Sequence, residues 1–134
     1  AERYVLDEAA GADGNPDKEN VKRLLDSLEG EKKAEVDAFL PLTVDDEEVT
    51  IGGIIDLLHI TSDCVEVIDY KTDRTTHAED EYRKQLSIYY HVVADRYPDR
   101  SVSALIFYTD EGDRREINPL SRSELREMVK AHDA

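Results

Sequence analysis

Residues 49–71 read VTIGGIIDLLHITSDCVEVIDYK. Residues 49–60 and 64–71 are apolar runs rich in β-branched side chains, which predicts two strands. The short polar segment Thr61-Ser62-Asp63 between them predicts a turn, so we expect the strands to pair antiparallel. Gly52-Gly53 interrupts the first run and indicates either a bulge or a close approach of other atoms to the backbone.

A third strand precedes this hairpin. Residues 34–44 place apolar side chains at every second position, which is the period of a strand with one buried face. The acidic residues 45–48 then predict a solvated turn before the next strand. Three strands joined by such short connections form an antiparallel meander.

The remainder of the chain alternates between helical and strand patterns. We predict helices over residues 17–28, 78–97 and 121–131, and strands over residues 102–108 and 114–117. Gly30 and Pro98 are expected to end the first two helices. The third helix is capped by either Ser121, with which Glu124 would complete a capping box, or Ser123. We expect residues 2–10 to be the tail of a helix that begins further upstream. A helix that crosses over to a further strand predicts an α/β fold: a mixed central sheet with an antiparallel three-stranded start, flanked by helices.

The composition limits the classes of protein to which the chain can belong. With 134 residues, of which 40% are hydrophobic and 37% charged, we expect one globular domain over residues 1–134 and a fragment of a longer chain. No apolar run is long enough to span a membrane, and no secretory leader is visible, so we expect a cytoplasmic protein without a membrane partner. The single cysteine, Cys64, excludes an internal disulfide and four-cysteine metal centres.

The net charge of −15 bears on the kind of partner. Proteins that bind nucleic acid ordinarily carry a basic surface, so charge alone argues against such a partner. In molar salt, however, the Debye length falls to about 3 Å, and long-range repulsion nearly disappears. Seven lysines against 32 acidic residues fit a surface adapted to such salt, as in a halophile. An ordinary acidic protein is the alternative.

Two aspartates and a lysine within the apolar strands are the candidate functional residues. A carboxylate in such a run loses hydration and needs a partner, which applies to Asp56 and Asp69. Asp69 and Lys71 are two positions apart, so their side chains share a face of the strand. If Ser62-Asp63 is a two-residue turn, Asp56 lies opposite Asp69 on that face. If Thr61 also belongs to the loop, the two aspartates point to opposite faces.

This trio of charged residues fits metal-dependent phosphodiester hydrolysis. Two carboxylates that face one point offer the hard oxygen ligands that Mg²⁺ or Mn²⁺ takes. A neighbouring ammonium group can orient an attacking water or stabilise the charge that develops on a phosphate. The alternative is a buried Asp–Lys ion pair that only holds the strand in place. Because buried ion pairs are poor stabilisers, their presence favours a functional role.

Three motifs in order resemble those of the RecB-like branch of the PD-(D/E)XK nuclease superfamily. They are Gly53-Ile54-Ile55-Asp56, Ile68-Asp69-Tyr70-Lys71 and the helical segment YRKQLSIY at residues 82–89, within a resemblance over roughly residues 33–110. The resemblance implies that Asp56, Asp69 and the carbonyl of Tyr70 are ligands of Mg²⁺ or Mn²⁺. It implies Lys71 as the catalytic lysine. Gln85 and Tyr89 would then lie at the edge of the site, where they position Lys71 or the DNA strand.

The resemblance also implies a function and partners. It predicts a metal-dependent deoxyribonuclease, with exonuclease action, that works in DNA recombination and repair. Such domains often belong to a helicase-nuclease, so we expect DNA as substrate and a helicase domain in the same chain or complex. Glu35 resembles a glutamate often found upstream in these domains.

One departure from the resemblance concerns a histidine. RecB-like nucleases usually carry a histidine ligand on their first helix, and the four histidines, at positions 59, 77, 91 and 132, all lie too late. Residues 2–10 would be the helix that follows that histidine. The alternative function is therefore a catalytically inactive module that binds DNA ends or acts as a scaffold in a repair complex. An acidic protein-interaction domain is a third possibility, which explains the charge but none of the motifs.

Histidine and tyrosine side chains near the candidate site have simpler interpretations. We expect His59, between Leu58 and Ile60, to be a structural strand residue. The tyrosines at positions 82, 89 and 90 either stack on nucleic-acid bases or pack in the core.

Overall fold

The computed structural model describes residues 16–72 and 76–133. The predicted helix over residues 2–10 lies outside this part of the chain. The described elements, in chain order, are α1 (Pro16–Ser27), β1 (Glu31–Val44), β2 (Glu47–Ile60), β3 (Cys64–Lys71), α2 (Thr76–Arg96), β4 (Ser101–Tyr108), β5 (Asp113–Glu116) and α3 (Arg122–Asp133).

The five described strands form one mixed sheet in the order β1-β2-β3-β4-β5. Pairing is antiparallel between β1 and β2, β2 and β3, and β4 and β5, whereas β3 and β4 run parallel. A parallel pair needs a crossover connection, and α2 supplies it. The predicted α/β class, with an antiparallel three-stranded start and flanking helices, is therefore confirmed.

The sheet buries both of its faces. On one face, α2 and α3 pack through Leu86, Tyr89 and Leu125 against the side chains of β1, β2, β3 and β4. On the other face, α1 packs through Val21 and Leu24 against a smaller cluster from the centre of the sheet. None of the described helices is both long and apolar enough to cross a membrane.

Two tight turns set the register of the meander. Asp45 and Asp46 both adopt left-handed backbone angles, with φ of 50° and 67°, as a two-residue hairpin of the primed type requires. In the second turn, the Thr61 amide donates to the Cys64 carbonyl at 2.9 Å, and Ile60 pairs with Val65. Thr61 therefore faces Cys64, so the turn is the two-residue form and Asp56 lies opposite Asp69.

The Gly52-Gly53 pair marks close approaches and not a bulge. Both glycines are paired in the β1–β2 ladder with no extra residue, Gly53 with Ala38 and Gly52 with Phe39. A methyl group on Gly53 would lie 2.5 Å from the Tyr89 hydroxyl oxygen, and one on Gly52 would lie 2.5 Å from the Phe39 ring. Side chains therefore occupy the space above each glycine. Of the two alternatives that the sequence left open, the close approach is the correct one.

The capping box of α3 is confirmed. The Glu124 amide donates to the Ser121 hydroxyl at 3.1 Å, and the Ser121 amide donates to a Glu124 carboxylate oxygen at 3.0 Å. These hydrogen bonds lower the pKa of the Glu124 carboxyl, because they favour its charged form. The cap fixes the start of the helix that covers the end of β1.

Candidate metal-dependent active site

The candidate site forms where β2 and β3 separate. Their ladder runs from Ile60 and Val65 to Leu57 and Ile68, one position short of Asp56 and Asp69. The Asp56 carboxylate takes over at this point and accepts the Tyr70 amide hydrogen bond at 2.9 Å. A side chain therefore satisfies a backbone donor that would otherwise pair with the neighbouring strand. The two strands can therefore separate here while the Tyr70 amide keeps a hydrogen-bond partner.

The carboxyl groups of Asp56 and Asp69 are buried beside each other, so their negative charges repel when both are ionised. Asp56 is 5% exposed and Asp69 2% exposed. Burial, together with the hydrogen bond and the negative charge of Asp69, raises the pKa of Asp56 to about 8. Two carboxylates at one point cannot both ionise without cost, so one of them retains a proton near neutrality. A group that removes this repulsion, such as a divalent cation, matches the chemistry of the pair.

Lys71 lies on the same face of β3 as Asp69. Its ammonium nitrogen is 3.0 Å from Asp69 Oδ2, and both side chains are almost fully buried. The ammonium group also donates to Gln85 Oε1 at 3.1 Å. The predicted Asp–Lys ion pair therefore exists, but it is part of a larger network. The Lys71 ammonium group makes its third contact with the ring of Tyr82, whose centroid lies 4.6 Å from the ammonium nitrogen.

Helix α2 orients this network from above the sheet. Gln85 donates through Nε2 to the Tyr89 hydroxyl at 3.2 Å, which leaves its Oε1 directed at Lys71. Burial raises the pKa of the Tyr89 hydroxyl, and the charge of Asp69 raises it further. The absence of a side chain on Gly53 provides the space that the hydroxyl occupies. Gln85 and Tyr89 lie one turn of α2 apart, and Gln85 links the Tyr89 hydroxyl to the Lys71 ammonium group.

Tyr82 is the residue whose contact the sequence interpretation did not anticipate. The tyrosines were expected to stack on bases or to pack in the core, and all three do pack against the α2 face of the sheet. Tyr82 in addition places its ring over the ammonium group of Lys71. Its spacing from Gln85 and Tyr89 is three and seven residues, which puts all three on one helix face. That spacing was the available signal.

The residues present fit a hard divalent cation. Asp56 and Asp69 supply carboxylate oxygens, and within the described residues no hydrogen bond of good geometry reaches Asp69 Oδ2. In an extended strand the amide and carbonyl of one residue face the same edge, so the Tyr70 carbonyl is directed to the side on which its amide meets Asp56. Oxygen ligands of this kind suit Mg²⁺ or Mn²⁺. Residues 16–72 and 76–133 contain no cluster of three or more His, Cys, Asp or Glu side chains that would complete such a shell.

Two histidines, His59 and His91, have structural partners away from this site. His59 contacts a Glu66 carboxylate oxygen at 2.7 Å through Nδ1, and its Nε2 contacts the Glu29 carbonyl. His91 contacts the Leu120 carbonyl at 2.7 Å. His59 is therefore the structural strand residue that was predicted. The expected position of a ligand histidine, upstream of residues 2–10, lies outside the described residues.

Comparison with known proteins identifies the family. The model of the PD-(D/E)XK nuclease superfamily matches residues 3–134, so the chain belongs to that superfamily. Its members are typically metal-dependent nucleases. No curated protein matches the chain.

A solved structure supports the same fold. The crystal structure of SSO0001 superimposes with a TM-score of 0.58 at 19% sequence identity, over 82% of this chain. The match covers 53% of the SSO0001 chain, so this chain spans about half the length of its structural relative. At that identity the likeness extends to the fold alone.

Proposed function

We propose that this protein is a divalent-metal-dependent nuclease that hydrolyses phosphodiester bonds in DNA. The observation that carries the proposal is the buried network of Asp56, Asp69 and Lys71, with Gln85 holding the lysine. A purely structural role would not require two carboxyl groups to share a buried position at the end of a ladder, because that arrangement is costly. Membership of the superfamily supports the same conclusion.

The chain's own residues divide the work of the reaction. Asp56, Asp69 and the Tyr70 carbonyl would hold Mg²⁺ or Mn²⁺, which when bound polarises the phosphate and lowers the pKa of water. Lys71 carries a fixed positive charge beside Asp69, where it orients the attacking water or stabilises charge on the phosphate. Because Lys71 is only 2% exposed, its charge acts with little screening by solvent.

Three side chains on α2 position the lysine. Gln85 accepts from the ammonium group, Tyr89 fixes the orientation of the Gln85 amide, and the Tyr82 ring covers the ammonium group. Each contact restricts the rotamers open to Lys71, which reduces the reorganisation needed during the reaction. At the edge of the site, Gln85 and Tyr89 would position either Lys71 or the DNA strand.

The biological setting is a further part of the proposal. Similarity of the three motifs to RecB-like nucleases supports exonuclease action in DNA recombination and repair, within a helicase-nuclease. The net charge of −15 and the scarcity of lysine support a cytoplasmic protein that works in molar salt, where repulsion from DNA is screened.

A second candidate function is a catalytically inactive module that binds DNA ends or acts as a scaffold. The observation in its favour is that the described residues lack a third His, Cys, Asp or Glu ligand beside Asp56 and Asp69. Such a module keeps the fold and binds DNA in molar salt, but it does not cleave it.

The decisive experiment measures degradation of linear and covalently closed DNA by the full native protein in molar KCl with Mn²⁺ or Mg²⁺. Lys71→Ala removes the ammonium group, and Lys71→Met removes it while keeping the volume of the side chain. Lys84→Met is the matched control, since Lys84 is a half-exposed lysine of α2 that pairs with Glu81. Circular dichroism verifies that each variant is folded.

Metal-dependent cleavage by the wild type and by Lys84→Met, and its loss in both Lys71 variants, supports the nuclease. A preference for linear over closed DNA supports exonuclease action. No cleavage by the folded wild type with either metal overturns the proposal, and salt-resistant DNA binding under the same conditions then favours the inactive module.

A further inference from the structure

The hairpin of β1 and β2 reverses its faces at one point. Ile55 belongs to the cluster beneath α2, whereas Leu57, two positions later, belongs to the cluster beneath α1. Residues two apart on a regular strand share a face, so β2 leaves its alternation between them. β1 also changes face. Val36 packs on the α2 side, whereas Lys32, four positions earlier, lies on the α1 side, where its ammonium group donates to the carbonyls of Leu25 and Leu28.

The reversal coincides with a gap in the ladder. Ala34 pairs with Leu57 and Val36 pairs with Ile55, but the pair that belongs between them, Glu35 with Asp56, is missing. Because the register is the same on both sides of the gap, neither strand gains a residue relative to the other. The alternation of side chains instead changes face once in each strand, at Glu35 in β1 and at Asp56 in β2, which lie opposite each other.

Glu35 carries the unusual backbone of this pair. Its φ is 52°, in the left-handed region that a non-glycine residue seldom adopts. The other described non-glycine residues with positive φ, Asp45 and Asp46, form the β1–β2 turn. Glu35 lies inside a strand, where extended backbone is the ordinary state. Strained backbone of this kind persists only where the surrounding structure enforces it.

The consequence of the reversal concerns Asp56. If β2 kept the alternation that includes Ile55, Asp56 would point to the α1 side, away from Asp69 and Lys71. With the reversal, Asp56 shares the α2 side with Leu58, and its carboxylate reaches the Tyr70 amide. Asp56 thus continues the alternation of Leu58 and Ile60, which pair with β3, whereas Ile55 continues the alternation that pairs with β1. The two patterns meet beside the left-handed residue of the adjacent edge strand.

We propose that Glu35 is a positioning residue whose left-handed backbone, and not its carboxylate, turns Asp56 toward Asp69. The role in metal binding rests on the proposed function. The orientation of Asp56 does not, because the Tyr70 amide reports on it directly. Residues that tolerate positive φ should therefore replace Glu35 without loss, whereas a β-branched residue should not.

The experiment compares Glu35→Gly and Glu35→Asn with Glu35→Val in the full native protein. Two quantities are measured: hydrogen exchange of the Tyr70 amide in metal-free protein, and Mn²⁺ affinity by calorimetry. Asp37→Val is the matched control, because Asp37 is an exposed residue two positions along β1 that pairs normally with Ile54. Exchange of the Val65 and Val67 amides verifies that β3 remains folded.

We expect Glu35→Gly, Glu35→Asn and Asp37→Val to keep both quantities within about threefold of the wild type, a change that small backbone adjustments produce. We expect Glu35→Val to speed hydrogen exchange of the Tyr70 amide and to weaken Mn²⁺ binding, each by about tenfold or more. The reason is that a β-branched valine strongly disfavours the left-handed backbone that position 35 adopts.

Three outcomes overturn the inference or separate it from the proposed function. Loss of Mn²⁺ affinity in Glu35→Gly equal to that in Glu35→Val overturns it, because the carboxylate would then be the active group. Unchanged Tyr70 exchange in Glu35→Val also overturns it. Absence of Mn²⁺ binding in the wild type, with the Tyr70 pattern as expected, contradicts the proposed function and leaves the positioning role supported.

Discussion

Replacing Asp56 with asparagine should remove the pH dependence that this one residue imposes on stability. The new amide side chain in Asp56→Asn resembles the protonated carboxyl, since its oxygen accepts from the Tyr70 amide and its NH₂ group donates to Asp69. It carries no proton that titrates. The variant therefore removes a single ionisation while it keeps the contacts that the structure shows for Asp56.

The magnitude follows from the protons bound in each state. The pKa of Asp56 is raised from 3.8 to about 8 in the folded protein, first by burial and then by Asp69. Between about pH 5 and about pH 7 the folded state holds one proton on Asp56 that the unfolded state has released, so stability falls by about 1.4 kcal/mol per pH unit. Over that interval the wild type loses about 3 kcal/mol relative to Asp56→Asn. The sign is that of an acid whose folded pKa is raised: its stabilising effect is present at low pH and is lost as pH rises.

The assay is urea denaturation in fixed high salt with a chelator, for both proteins at several pH values. The difference between the two free energies of unfolding cancels every ionisation that they share. Asp63→Asn, at an exposed turn position, is the control for the Asp-to-Asn change itself. Parallel curves for the wild type and Asp56→Asn would contradict this prediction, because Asp56 would then titrate alike in the folded and unfolded states.

Three further substitutions test the packing and the positioning contacts. Gly53→Ala places a methyl group against the buried Tyr89 hydroxyl, so we expect a loss of about 1–3 kcal/mol in the free energy of unfolding and reduced nuclease activity. For Tyr82 we expect Tyr82→Phe to keep cleavage within about threefold and Tyr82→Leu to lower it by about tenfold, because the aromatic ring contacts the Lys71 ammonium group; equal losses in both would contradict this. Ser121→Ala breaks the α3 capping box and should cost about 1 kcal/mol in thermal or urea unfolding, with Mn²⁺ affinity unchanged.

Much of the fold was predictable because its signals are local. The alternation of Ala38, Leu40 and Leu42 identified β1, and all three are buried beneath the helices. The capping box at Ser121 likewise depends on residues three apart. Strand ends were harder to predict: β1 begins at Glu31, three residues before its apolar alternation, because backbone pairing with β2 extends beyond the buried side chains.

The candidate site was predictable only in part. The sequence singled out Asp56, Asp69 and Lys71 as charged residues in apolar strands, and the three motifs added Gln85 and Tyr89. The structure brings all five together. Their roles as ligands and catalytic groups remain predictions that the experiments above test.

By itself, the sequence determined the order and type of the elements and the residues whose burial requires partners. Periodicity and turn chemistry are properties of neighbouring residues, so they can be recognised without a fold. The face on which Asp56 lies depends on the pairing of β2 with β3, because a shift of one residue in the hairpin would turn Asp56 away from Asp69. The contact of Tyr82 with Lys71 depends on the packing of α2 on β3, which no local pattern indicates. The change of face at Glu35 depends on the pairing of β1 with β2, so it too could be recognised only in the folded structure.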